Sequence, residues 1–295
     1  MSTLNPSAPA QGWLRSFDWG RLAYQMRRNP MMVVGLSMVG FILLAVIVGP
    51  WLLSIDPNQI NLRQRLAAPS AQHWFGTDEV GRDIFARILH GGRISIGVGV
   101  FVVLVSATLG TAIGGLSGVI GGRTDTVVMR LMDIVLAVPS LVLTMALAAA
   151  LGPSLWNAML AIALVRVPAY VRLARGQTLT IRESGYVKAA RTFGATPWQI
   201  LRWHVVRNAM PPISVQASLD LGSAILMAAA LSFIGLGAQP PAAEWGAMIA
   251  VGRNHVLEQW WYSAFPGFAI LFTAVGFNLV GDGLRDMLDP KQKGR

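Results

Sequence analysis

Two charged side chains stand inside otherwise apolar runs of this sequence: Arg166 and Asp220. A guanidinium fork and a carboxylate accept each other well, so an ion pair between them is the simplest chemistry these residue types support. The alternative is that Arg166 lines an aqueous path and receives a carboxylate from another molecule, or that the two relay protons or ions. Few other chemistries are open. With no cysteine there is no thiolate metal site and no thiol nucleophile, and the four histidines are too scattered to form a ligand cluster. No Gly-x-x-x-x-Gly-Lys-Ser/Thr loop cradles phosphates, and neither His-Glu-x-x-His nor a Gly-x-Ser-x-Gly elbow occurs. The expectation is a chain that is not an enzyme and binds no cofactor or metal of its own.

What positions these charges is a set of long apolar segments. Of the 295 residues, 54% are hydrophobic and only 13% charged, too little polar surface for a protein that must keep its exterior wet. A helix crossing ~30 Å of hydrocarbon needs about 20 residues, because every backbone N–H and C=O must be satisfied within it. The chain divides accordingly into a tail 1–30, a span 31–53, an outer segment 54–93, and spans 94–120 and 133–151. Spans 155–174 and 213–236 follow, separated by an inner loop 175–212, then an outer loop 237–262, a span 263–281 and a tail 282–295. Asn29-Pro30 opens the first span as a helix cap followed by proline at the first helical position. Gly152-Pro153-Ser154 divides the third from the fourth, and Trp260, Trp261 and Tyr262 form an interfacial belt before the last.

The fold class expected is all-α, a polytopic membrane protein with six transmembrane helices. Gly110, Gly114 and Gly118, four residues apart, mark a face where two helix backbones approach closely. The formal charge of +10 would suit nucleic acid if it lay on one solvated face, but most of the 24 Lys and Arg fall in the tails and inner loops. That is the positive-inside pattern, so the charge sets topology, with both termini cytoplasmic and no nucleic-acid partner. Arg166 then lies roughly 12 Å from the inner end of its span and Asp220 roughly 10 Å from the start of its own, at nearly matched depths. In the outer segment, Ile84, Phe85, Ile88 and Leu89 read as an interfacial helix separate from the span at 94.

The inner loop reads as helix, turn, helix. The first helix runs from about Leu179 to Phe193, and Gly194 provides a left-handed cap. Thr196 caps a second helix with Pro197 at its first position, which carries Trp198, Leu201 and Trp203 until Pro211-Pro212 stops it. Its apolar cluster is rimmed by Arg191, Arg202 and Arg207, as expected of a knob for another protein. A helix lying in the headgroup layer is the competing reading, and a DNA-reading helix-turn-helix is disfavoured by tethering at both ends.

Tyr186-Val187-Lys188-Ala189-Ala190-Arg191-Thr192-Phe193-Gly194-Ala195 resembles the cytoplasmic loop of binding-protein-dependent ABC permeases, in which Glu-Ala-Ala is followed after three residues by Gly. The chain departs from that pattern at Lys188, where an acid is usual, and at Val206-Arg207, where many members have Leu-Pro. Three further stretches extend the resemblance along nearly the whole chain: His73-Trp74-Phe75-Gly76-Thr77-Asp78, Phe233-Ile234-Gly235-Leu236-Gly237 with Glu244-Trp245-Gly246, and Gly281 to Asp286 with Leu288-Asp289-Pro290. Together they are similar to the C-type subunit of dipeptide and oligopeptide importers, and within that group to the D-alanyl-D-alanine-type dipeptide permeases.

The resemblance implies a type I ABC importer permease fold in the bacterial inner membrane. Its implied partners are a related permease, two cytoplasmic ATPases that hold ATP and Mg2+, and an extracytoplasmic binding protein. It implies that Lys188, Ala189, Ala190, Gly194, Ala195, Trp198 and Leu201 meet an ATPase, and it makes a peptide carboxylate the candidate guest of Arg166. Related systems carry glutathione, nickel chelates or oligopeptides, so the cargo stays open at this point. An ion-coupled secondary transporter is the other class, disfavoured because the sequence shows no internal repeat.

Overall fold

Apolar length decides the architecture of the computed structural model, which describes residues 29–53 and 55–288. The tail 1–28 and the terminal segment from Asp289 lie outside the described residues. In chain order the helices are α1 (Pro30–Leu52), α2 (Ile84–Ile120), α3 (Gly122–Ala137), α4 (Ser140–Leu151) and α5 (Leu155–Arg182). Then come α6 (Gly185–Thr192), the single turn α7 (Pro197–Ile200), a π-helical turn Leu201–Val205, α8 (Val206–Phe233), α9 (Trp245–Gly252) and α10 (Trp261–Leu288). Among the described residues there is no β-sheet, only an isolated bridge between Thr77 and Asp83. The all-α expectation holds.

Several boundaries differ from the sequence reading, each for a physical reason. The helix expected from 94 begins at Ile84, where Asp83 caps it by accepting from the Ala86 N–H at 2.8 Å. Ile84, Ile88 and Leu89 are therefore buried in the first turns of α2 rather than lying on a separate interfacial helix. Carbonyls accommodate both charges inside α2: the Arg87 Nη atoms donate to Pro57, Pro241 and Ala242, while its Nε has no hydrogen-bond partner among the described residues, and Arg93 donates to Val46 and Ile47. The expected straight span 133–151 is instead α3 and α4, bent by 92°. Pro139, at the bend, disfavours helical geometry at Val138. The 12 residues of α4 reach only about 18 Å, so no single straight helix crosses here.

In the inner loop, α5 runs on to Arg182, so the expected helix 179–193 is two helices that meet at Glu183 and Ser184. Pro211 and Pro212 do not stop the next helix; they lie inside α8. Tertiary packing outweighs their cost, because Ala209 and Ile213, on either side, are buried against Tyr170 of α5.

Packing centres on α2. Its three spaced glycines all face α5: a Cβ at Gly110 would fall 2.4 Å from Tyr170 Cβ, at Gly114 2.2 Å from the Val171 carbonyl, and at Gly118 2.9 Å from Thr178 Cβ. Small residues thus allow the two backbones to touch. One apolar core joins α1, α2, α8, α9 and α10, and a second joins α2, α4, α5 and α8. At the end opposite the inner loop, a buried polar knot ties the outer segments to the start of α2. The Asp78 carboxylate accepts from the backbone N–H of Val80 and Arg82 and from Arg82 Nε at 2.6 Å. Glu244 caps α9 through Gly246 and Ala247 and also accepts from Ser95.

Candidate functional site: an intramembrane ion pair and a braced loop

Arg166 lies on α5 and Asp220 on α8, and the helices bring them together: Arg166 Nη1 donates to Asp220 Oδ1 at 2.8 Å. Both side chains are largely withdrawn from solvent. At such sites a lone charge is expensive and a paired one tolerable. One turn along α5, Tyr170 is fully buried, and among the described residues neither its hydroxyl nor Arg166 Nε has a hydrogen-bond partner. Tyr170 was not singled out in the sequence, although its position four residues after Arg166 places it on the same helix face.

The inner loop is a braced platform. Arg182 donates to the Gly118 carbonyl at 3.0 Å and Arg191 to the Val119 carbonyl at 3.1 Å, satisfying acceptors left open at the C-terminus of α2. Arg175 grips Asp125 of α3 through two bonds of 2.6 Å, and Ser117 donates to the same carboxylate. Gly194 adopts φ +84°, the left-handed conformation that glycine tolerates best. Thr196 and Gln199 form a reciprocal capping box, with Pro197 at the first helical position. The π-helical turn Leu201–Val205 then passes without interruption into α8, so the loop is in mechanical continuity with a membrane helix.

This geometry sorts the residues expected at a docking face. Lys188, Ala189, Gly194 and Trp198 are exposed, while Ala190 and Ala195 are half-buried. Leu201 is a correction: at 2% exposure it packs into a small core with Val119, Ile181, Val187 and Val205, opposite Gly115. It holds the platform from beneath and is not available to a partner. Lys188, where an acid is usual, lies 3.1 Å from Glu183, and that hydrogen bond holds the Glu183 carboxyl below its ordinary range. Phe193 was missed, and it is 90% exposed at the turn of a loop on which Trp198 and Trp203 are also exposed. Its place directly before the left-handed Gly194 was the signal available. Arg202 stacks over Trp203 at 5.3 Å, completing a basic and aromatic outer face.

No group of three or more His, Cys, Asp or Glu among the described residues is placed to hold a metal ion. The arrangement places the exposed Trp198 and Trp203 on a loop that continues into α8, the helix that carries Asp220.

Five long apolar helices and one bent pair give five or six candidate membrane spans, the architecture of a polytopic α-helical membrane protein. Residues 110–294 match the family described as "Binding-protein-dependent transport system inner membrane component", and residues 19–69 match the N-terminal TM domain of oligopeptide transport permease C. The chain belongs to that family of ABC transporter permeases. It is 61% identical, over 95% of its length and 94% of the relative's, to the "Probable D,D-dipeptide transport system permease protein" of Escherichia coli (strain K12). It is 43% identical to a dipeptide transport system permease of Alkalihalophilus pseudofirmus, covering 98% of this chain and 95% of that one. A glutathione transport system permease of Pectobacterium atrosepticum is 42% identical over 86% of this chain and 85% of its own.

Proposed function

We propose that this chain is one of two permease subunits of an ATP-driven importer of dipeptides in the bacterial inner membrane, with D,D-dipeptides as the preferred cargo. The cargo assignment is supported by the 61% identity, across nearly the full length of both chains, to a permease named for D,D-dipeptide transport. ATP and Mg2+ bind to two partner ATPases, and an extracytoplasmic binding protein delivers the peptide. The basic inner loop faces the cytoplasm, as do both termini.

The observation that carries the mechanism is the braced loop itself. Phe193, Trp198 and Trp203 stand outward on a platform fixed to α2 by Arg182 and Arg191. An ATPase groove that receives this face moves α5 and α8 together, because both helices run directly into the loop. The Arg166–Asp220 pair joins those same two helices, so it keeps them moving as one body rather than receiving the peptide carboxylate. Carriage of glutathione is the second reading, favoured by the relative of that name.

Uptake of labelled D-alanyl-D-alanine, L-alanyl-L-alanine, a tetrapeptide and glutathione, in cells with and without this gene, tests the reading. Loss of D,D-dipeptide uptake, repeated in a strain whose partner ATPase is catalytically dead, is the expected result. Loss of glutathione uptake alone would move the chain to the second reading. Unchanged uptake of all four would overturn the cargo assignment.

A further inference from the structure

An open cleft of about 270 Å³ lies between α8, α9 and α10, at the end of the bundle opposite the inner loop. Leu226, Ala229 and Phe233 of α8, Ile249 of α9, and Gly267 and Leu271 of α10 line it. Every lining residue is apolar, and Leu226, Phe233 and Leu271 are exposed at its edges. The long axis follows α8: Leu226 to Phe233 is seven residues, or roughly 10 Å, running from inside the apolar zone toward the end of the helix.

At the upper end the chemistry changes. Arg253, in the 3-10 turn after α9, places its guanidinium 5.1 Å from the centre of the Phe233 ring and donates to the Phe233 carbonyl. Arg253 is exposed, and no ion pair among the described residues involves it. Trp260, also exposed, and Trp261 mark the same level as an aromatic interface, from which Gly267 lies roughly 9 Å deeper along α10.

We propose that this cleft is a binding site for one anionic glycerophospholipid, with an acyl chain along Leu226, Gly267 and Leu271 and the phosphodiester on Arg253. Three features fit that occupant. The cavity is smaller than the ~300–1,000 Å³ of sites that enclose a small molecule, but it suits part of a single hydrocarbon chain. It contains no polar group that would orient a soluble ligand. At the rim the exposed Arg253 lies against the lining residue Phe233, and a guanidinium matches phosphate geometry. An acyl chain in this cleft would wedge α9 against α8 and α10, stiffening the short helix that Glu244 caps.

The test is native mass spectrometry of the complete complex, released from nanodiscs of phosphatidylglycerol or of phosphatidylcholine. Two variants separate headgroup from chain. Arg253→Gln removes the phosphate partner. Gly267→Leu fills the cleft, and a Cβ there meets only Ile249 Cδ1 at 3.9 Å, so the backbone need not move. The expected result is one phosphatidylglycerol retained by the unaltered complex and by Arg253→Lys, lost from both other variants, with no phosphatidylcholine retained. Equal retention in all forms would overturn the proposal. So would a photoreactive side chain at Leu271 that joins to the partner permease instead of to lipid, since that would make the cleft part of a subunit interface. None of these readouts depends on which solute is transported.

Discussion

At the scale of single residues, the informative pair is Arg166 and Asp220. Removing one partner of a buried ion pair strands the other charge, which typically costs about 3–5 kcal/mol. Arg166→Gln is therefore expected to lower the thermal unfolding temperature and the yield of the complex, whereas Arg166→Asp combined with Asp220→Arg recovers both. Differential scanning fluorimetry on the purified complex reads this directly. Normal stability with lost uptake in the single variant would assign Arg166 to the substrate path instead. By contrast, Arg172 and Asp133 meet at 2.5 Å but are half exposed, and such pairs contribute only about 0–1 kcal/mol. Arg172→Gln is accordingly expected to leave stability within a degree or two of wild type by the same assay.

Among the elements, the closest contact is α2 against α5. A side chain at Gly114 meets the Val171 carbonyl at 2.2 Å, which backbone cannot concede without separating the helices. Gly114→Leu is expected to abolish assembly of the complex, while Gly97→Ala, with nothing within 4 Å of its Cβ, leaves assembly unchanged. Co-purification of the partner permease and ATPases measures both.

Much of this contact was legible in sequence, because small residues at a spacing of four on an apolar run have few other uses. The intramembrane ion pair was legible for the same reason: charges are rare in such runs, and their depths matched. What sequence did not show were features decided by packing between distant segments. Charge at Arg87 and Arg93 set the start of the second span at 94, because the carbonyls that receive them lie some 30 to 155 residues away in the chain. Leu201 read as a surface residue because its helix is amphipathic and short, and only the tertiary structure shows that the face it occupies turns inward onto Gly115. Pro211-Pro212 read as a stop because local cost was visible and the burial of Ala209 and Ile213 was not.

For the whole molecule, the claim is that force enters through the inner loop and reaches the membrane through α5 and α8. The loop combines two features this requires: exposed aromatic side chains, and hydrogen bonds from Arg182 and Arg191 to the end of α2. Gly194, held at φ +84°, shapes the turn between its two helices. Gly194→Ala strains it by roughly 1–2 kcal/mol and is expected to reduce uptake while the complex still assembles. Removing the brace should act differently from removing the knob. Arg191→Ala loosens the platform, so ATP hydrolysis continues with fewer peptides moved per ATP; parallel hydrolysis and uptake assays in proteoliposomes give that ratio.

The most direct measurement of the claim uses Phe193→Ala in the reconstituted complex, reading subunit stoichiometry, ATP hydrolysis and D-alanyl-D-alanine uptake on one preparation. Phe193 is 90% exposed and belongs to none of the apolar cores formed by the described residues, so its removal is expected to leave the fold intact. The account predicts full assembly of the two permeases, weakened binding of the ATPases and at least a tenfold loss of uptake, about 1.4 kcal/mol or more of lost contact. Wild-type uptake and wild-type ATPase occupancy in the Phe193→Ala complex would contradict it.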